Sequence, residues 1–209
     1  MLFINRYCHI RNRSLIDQGK IIFTSTEGTL GNFSENSFHW MSLAYPKFYK
    51  MDRLSQLGFL ASELLLRNSG ISERYHSDKV AVILSNTSSS LDTDIRYAES
   101  VKSVASPALF VYTLPNIVAG EICIRHGLRG ENAFFVFPEF DAQKMCDYVE
   151  TVMATDCTQA CVAGWVEVIG ERHDVFLYLA ERAKEPDGVE HTADQLHKIY
   201  NLNYGRVDA

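Results

Sequence analysis

Seven histidines and five cysteines are the side chains of this 209-residue sequence best suited to nucleophilic, acid–base or metal chemistry. Their spacing favours none of the common sites. Cys157 and Cys161 lie four apart, but Cys161 falls in an apolar run of strand character, where a free thiol packs as a small hydrophobe. Cys8-His9 has no second pair at ligand spacing. His191 and His197, six apart, cannot share one helix face and read as solvated. A glycine-rich phosphate loop, an HExxH helix, a paired CxxC and a GxSxG elbow are all missing. The expectation is therefore no metal and no cofactor. Asn86-Thr87-Ser88-Ser89-Ser90 follows an apolar run, where α/β folds often bind ligands. Without glycine its backbone cannot close on a pyrophosphate, and Asn and Ser suit a turn for their own reasons. It reads as a structural turn.

Composition sets the frame for these side chains. A length of 209 residues suits one compact unit, 1–209, able to bury ~70% of its extended-chain surface without a staple. Apolar residues make up 46% and charged residues 22%, which excludes a disordered chain. Twenty basic against 26 acidic residues give a net charge of −6, which argues against nucleic acid. No apolar run reaches the length of a membrane span, and the N-terminus lacks signal-peptide order. An odd number of unframed cysteines then implies reduced thiols and a cytoplasmic location.

The elements follow from apolar period and punctuation. Leu2–Ile10 and Lys20–Thr24 are strand candidates, Gly28–Asn32 reads as a turn, and the aromatic stretch through Phe48 reads as irregular. Asp52 caps a helix whose Leu54, Leu57, Leu60, Ala61, Leu64 and Leu65 form one stripe, ended by Asn68-Ser69-Gly70. Lys79–Ser85 holds a continuous apolar run from Val80 to Leu84, the pattern of a strand buried on both faces. A helix over Asp92–Val104 follows, then one opened by Pro115 and closed by Gly127, and a second buried strand over Asn132–Phe137. Phe140-Asp141 starts a helix with Met145, Val149, Val152 and Met153 inward. Ala160–Ile169 and Asp174–Ala180 make a hairpin through Gly170–His173, and Thr192–Gln195 is a capping box for a short last helix. The sum is an α/β fold: a layered mixed sheet with helices on both faces and a closing β-hairpin.

Two stretches carry a family resemblance. Phe48-Tyr49-Lys50-Met51-Asp52-Arg53-Leu54-Ser55 is similar to the F-x-x-x-D-x-x-S opening of the first long helix in β-ketoacyl synthases. Ser106-Pro107-Ala108-Leu109-Phe110-Val111-Tyr112-Thr113-Leu114-Pro115-Asn116 resembles the family passage that reads SP..F..TLPN. The match continues through Ala119-Gly120-Glu121-Ile122-Cys123-Ile124-Arg125-His126-Gly127-Leu128-Arg129-Gly130-Glu131-Asn132, against AG.I.IR.GLRGPN. The passage has a physical logic: Ala119 and Gly120 allow close helix packing, and Gly127 and Gly130 take tight turns. The resemblance covers Asp52 to Ile169 and implies the N-terminal half of a duplicated thiolase-like fold, with 182–209 as a C-terminal tail.

In that family the strand after GLRGPN ends in a sharp turn bearing the nucleophilic Cys, at a helix N-terminus that lowers its pKa. An ungapped count places Glu139 there, and the nearest thiol, Cys146, is seven residues on and inside a helix. The resemblance also implies two catalytic histidines in a C-terminal half. The 40 residues after Ile169 cannot build one, and neither His191 nor His197 stands in the family's context. Without thiolate and histidine donors, the implied condensing activity is expected to be absent. Glu139 reads as a cap or a vestigial turn.

The resemblance therefore implies a non-catalytic ketosynthase-like protein of fatty acid or polyketide-type synthesis. It would bind an acyl carrier protein, an acyl chain or a full-length ketosynthase. Pro107, Phe110, Thr113, Pro115, Asn116, Gly120, Arg125 and Arg129 are the candidate contact residues, with Arg125, Arg129 and His126 offering positive charge to an acidic carrier. A half-fold leaves an apolar layer bare, and the polar 182–209 tail is too short to cover it, so a homo-oligomer is expected. The competing reading is an acyltransferase or decarboxylase acting on acyl or malonyl thioesters through Glu139 or Asn116.

Overall fold

The apolar run beginning at Lys79 forms the strand around which the parallel part of the sheet is built. In the computed structural model, which describes residues 1–202, the first strands are β1 (Phe3–Arg11), β2 (Ser14–Asp17) and β3 (Lys20–Thr24). Helices α1 (Leu30–Trp40), α2 (Arg53–Leu66) and α3 (Ile71–Arg74) lead to strand β4 (Val80–Asn86). Then come α4 (Leu91–Val101), α5 (Pro107–Val111), α6 (Ile117–His126), β5 (Asn132–Val136) and α7 (Ala142–Met153). Strands β6 (Ala160–Ile169), β7 (Arg172–Glu181) and β8 (Val189–Glu190), and helix α8 (Ala193–Tyr200), complete the described chain.

The strands form one mixed sheet in the order β3-β2-β1-β7-β6-β4-β5, with β8 on the end of β1. Strand β4 runs parallel to β5 and β6, and the remaining pairs are antiparallel. Every residue of β4 is buried because both faces of the sheet are covered. Val80, Val82 and Leu84 meet the layer of α1, α2 and α6, while Ala81 and Ile83 meet α7 and α8.

Several expectations are met in detail. Asp52 caps α2, its carboxylate accepting the Ser55 N–H at 2.9 Å. Strands β6 and β7 pair from Ala160↔Glu181 to Ile169↔Arg172, a longer hairpin than Asp174–Ala180. Gly127 ends α6 in the left-handed region, and Thr192 accepts the Gln195 N–H to start α8.

Other expectations are corrected. Gly28–Asn32 is no free-standing turn, since Thr29 and Asn32 form a capping box that starts α1 inside the stretch expected to be irregular. Strand β2 was not foreseen. Its tight link to β1 holds Asn12 and Arg13 at φ 49° and 53° without the glycine that usually marks such a hairpin. Pro115 does not open a helix: Pro107 opens α5, and α6 begins at Ile117. Strand β5 is an edge strand with exposed ends rather than a buried one. Gly120 faces open space, and the residue that lets α2 and α6 approach is Gly58, whose missing Cβ would collide with Val118. Gly130 serves close approach, its Cα lying against the Val80 carbonyl. The chain after Arg182 is part of the fold: β8 pairs with β1, and Leu196 and Ile199 of α8 are buried against the α7 face. Residues 203–209 of the expected tail lie outside the described residues.

Candidate functional site

Parallel β4 and β5 end side by side, and each turns into a loop leading to a helix. The loop after β4 is filled from within. Glu167 of β6 directs Oε2 at the N–H groups of Thr87 and Ser88, at 2.8 and 3.0 Å. Asn86 accepts the Ser89 N–H and donates back to the Ser89 carbonyl. A carboxylate of the protein thus occupies the donors that an anionic ligand would need. The structural-turn reading of Asn86–Ser90 holds, and Glu167, the one charged residue of β6, is its unforeseen partner.

The loop after β5 is Phe137-Pro138-Glu139-Phe140-Asp141, tied to the first where Thr87 Oγ1 donates to the Pro138 carbonyl at 3.0 Å. Glu139 is exposed and does not cap α7. That role belongs to Asp141, which accepts the Lys144 N–H at 2.9 Å. Lys144 holds the Asp141 carboxyl below its ordinary pKa through a side-chain bond. Glu139 instead stands on the rim of an open cavity of about 470 Å³ shared with Gln143, Asp194, His197 and Tyr200.

No described thiol reaches this turn. Cys146 lies in α7, buried, and desolvation with help from Glu150 pushes its pKa up to about 12. Burial raises Cys123 to about 11 and drives Cys8 and Cys161 higher still. These are thiols, not thiolates. His191 corrects the expectation of a solvated residue: it is buried and lowered to about 4 by desolvation. Its Nδ1 lies 3.6 Å from Cys146 Sγ and its Nε2 lies 3.3 Å from the Tyr178 hydroxyl. His197 faces outward and bonds with Asn201.

The Ser106–Asn132 stretch divides into an exposed and a buried part. Ser106 caps α5 by accepting the Leu109 N–H, and Pro107 takes the first helical position. No residue of α5 is buried. Phe110 is 60% exposed and Leu114 57%, beside Val104, Val111 and, on α4, Leu91, Ile95 and Val101. Thr113 and Pro115 are half-buried and Asn116 is exposed. Tyr112 turns inward, its hydroxyl donating to buried Glu121 at 3.0 Å, and Lys47 Nζ meets the same carboxylate at 2.8 Å.

The expected basic patch is partly spent inside the fold. Arg125 pairs with Glu63 and lies over the rings of Tyr45 and Phe59. His126 bonds with Ser62 Oγ at 3.0 Å, and burial lowers its pKa. Arg129 remains exposed, while its N–H donates to the Ser77 carbonyl.

The architecture is that of ketosynthases and chain length factors. The ishigamide ketosynthase/chain length factor superposes with a TM-score of 0.64 at 16% identity, over 89% of this chain and 63% of that one. The ketosynthase ApeO in complex with its chain length factor ApeC, from Xenorhabdus doucetiae, gives 0.54 at 12%, over 88% and 79%. AntDE:AntF, a type II PKS acyl-carrier protein in complex with its ketosynthase bound to the hexaketide, gives 0.56 at 13%, over 87% and 62%. The chain thus spans 63% of the length of the ishigamide protein's chain. No curated protein matches the sequence. The chain belongs to the β-ketoacyl synthase N-terminal domain family, whose model matches residues 14–136. That match starts well before Asp52 and stops at the end of β5, just short of the Phe137–Asp141 turn.

Proposed function

We propose that this chain is a non-condensing ketosynthase-like subunit that works by binding a partner protein in fatty acid or polyketide-type synthesis. The reading is supported by the turn after β5, where residues 137–141 hold no thiol and an ungapped count from the resembling passage puts Glu139 at the family's nucleophile position. An exposed carboxylate cannot hold an acyl thioester as a thiolate does, and the buried thiols Cys8, Cys146 and Cys161 are held protonated by desolvation. In this reading residues 1–209 act as one unit.

The contact surface we assign is the exposed apolar side of α4 and α5, centred on Pro107, Phe110 and Leu114, with Thr113, Pro115, Asn116 and Arg129 at its edge. Gly120 and Arg125 drop to supporting positions. Two features favour a ketosynthase-type chain, either a second copy or a longer relative, over an acidic carrier protein. The exposed side chains are apolar, and Arg125 is already paired with Glu63. ApeO is seen with its chain length factor, which supports pairing between chains of this fold. AntDE is seen with an acyl-carrier protein, which keeps the carrier as a second ligand to be tested.

The test combines light scattering with mass spectrometry. The expected outcome is a mass of at least two chains of 23.7 kDa, reduced to one by Phe110→Glu with Leu114→Glu. Incubation with malonyl- and acyl-loaded carrier protein is expected to leave the cargo intact and the chain unacylated. Loss of carbon dioxide that disappears in Glu139→Gln would replace this reading with a decarboxylase.

A further inference from the structure

Three donor side chains converge where the link between β8 and α8 crosses α7. Cys146 and Glu150 are four apart on α7, so they share one helix face a single turn apart. His191 arrives from the link between β8 and α8 and lies over that face. Cys146 Sγ lies 3.6 Å from His191 Nδ1 and 3.7 Å from Glu150 Oε1, and the last two atoms are 4.0 Å apart. Sulfur, imidazole nitrogen and carboxylate oxygen therefore form a nearly equilateral triangle.

We propose that Cys146, Glu150 and His191 form a site for a divalent transition-metal ion, with Zn2+ as the natural occupant. Tetrahedral zinc bonds of 2.0–2.3 Å put neighbouring donors about 3.5 Å apart, so the two sulfur edges already fit and the N···O edge of 4.0 Å must close by about 0.6 Å. The donor set selects against calcium and magnesium, which take oxygen ligands, and in favour of zinc or cobalt, which accept sulfur and nitrogen together.

The surroundings hold the donors ready. In the tautomer whose Nε2–H donates to the buried Tyr178 hydroxyl 3.3 Å away, His191 Nδ1 presents its lone pair to the triangle. The His191 backbone N–H is fixed on the Leu2 carbonyl at 2.9 Å, so the imidazole is anchored from the residue before β1 while the other two donors ride on α7. Glu150 is 56% exposed, which gives the ion a path in and leaves a fourth position for water. Binding forms S–M, N–M and O–M bonds and releases the Cys146 S–H proton to solvent, with no change of oxidation state. The ion would then clamp the segment leading into α8 onto α7.

The experiment is a titration of the reduced full-length protein with Co2+, followed by displacement with Zn2+. The expected result is one Co2+ per chain, a thiolate-to-cobalt charge-transfer band and its loss when Zn2+ is added. Cys146→Ser should abolish the band, whereas Cys157→Ser, at an exposed thiol outside the cluster, should leave it intact. Because buried Cys146 contributes to packing, a second variant is needed. Glu150→Gln, at an exposed position, should weaken Co2+ by about tenfold or more while keeping the band. A missing band in the native protein, a band unchanged in Cys146→Ser, or equal affinity in Glu150→Gln would each overturn the site.

Discussion

Two helix pairs drawn from neighbouring stretches of chain, α2 with α6 and α4 with α5, meet opposite fates. Eleven of the 14 residues of α2 are buried, because it lies between β1, β6 and β7 on one side and α6 on the other. Helix α5 buries none of its residues, and α4 buries only Asp92 and Thr93. Those two are held by polar bonds at the helix start: Asp92 accepts the Gly170 N–H at 2.8 Å, and Thr93 donates to Asp52 at 2.6 Å. Beyond that anchor the apolar side chains of α4 and α5 point to water. Apolar side chains thus build a core in one pair and an open face in the other. The difference is the presence of a second layer, which the described residues do not supply over α4 and α5.

The comparison can be broken from the packed side. Gly58→Leu drives a side chain into Val118 and should cost about 3 kcal/mol or more in urea unfolding, converting the tight pair into a splayed one. A result within experimental error of the native protein would show that α6 is free to move away. Next in size is Asp52→Ala, which removes the α2 cap and leaves the Thr93 hydroxyl without its acceptor. The expected loss is about 2 kcal/mol by the same measurement. Asp52→Asn should recover most of it.

Acid acts on the buried imidazoles. His9 is buried against Phe176 at 4.8 Å between ring centroids, and desolvation lowers its pKa from 6.5 to about 3. Below pH 6.5 the unfolded chain binds a proton that the native chain refuses. The stability is therefore full above that pH and is lost as the pH falls toward 3. Between pH 7 and pH 5 the loss from His9 should be about 2 kcal/mol, and His9→Gln should show a flatter profile.

The smallest expected effect is the sharpest. Phe110→Ser should change the unfolding free energy of the isolated chain by under about 0.5 kcal/mol, since the side chain packs on little beyond Tyr97. Its association measured by light scattering should nevertheless weaken. Equal losses at Phe110 and at Leu57 would erase the distinction between the two pairs.

Much of this architecture was legible in the residues. Strand β4 and the β6–β7 hairpin announce themselves as apolar, β-branched runs, and α2 by its leucine stripe and Asp52 cap. Helix α1 was missed for a physical reason. Its capping box uses Asn32 where Glu or Gln is usual, and its buried Leu30, Phe33 and Phe38 are separated by Gly, Asn and Ser. The count from Gly130 reaches the turn after β5, but the cap of α7 is Asp141 and not Glu139, because only the side chain directly before the first helical turn reaches its free N–H groups. The pairing of Cys146 with His191 had no local signal at all, since 45 residues separate them.

Chain order alone determined that no sulfur occupies positions 137–141, and that α-helix and strand alternate before a final hairpin. Those are properties of near neighbours, written in a period of two or 3.6 residues. Tertiary structure decided which apolar side chains stay wet, that Glu167 fills the loop after β4, and that thiol, carboxylate and imidazole meet beside α7. Such meetings depend on how distant strands are ordered in one sheet, and side-chain periodicity is blind to that order.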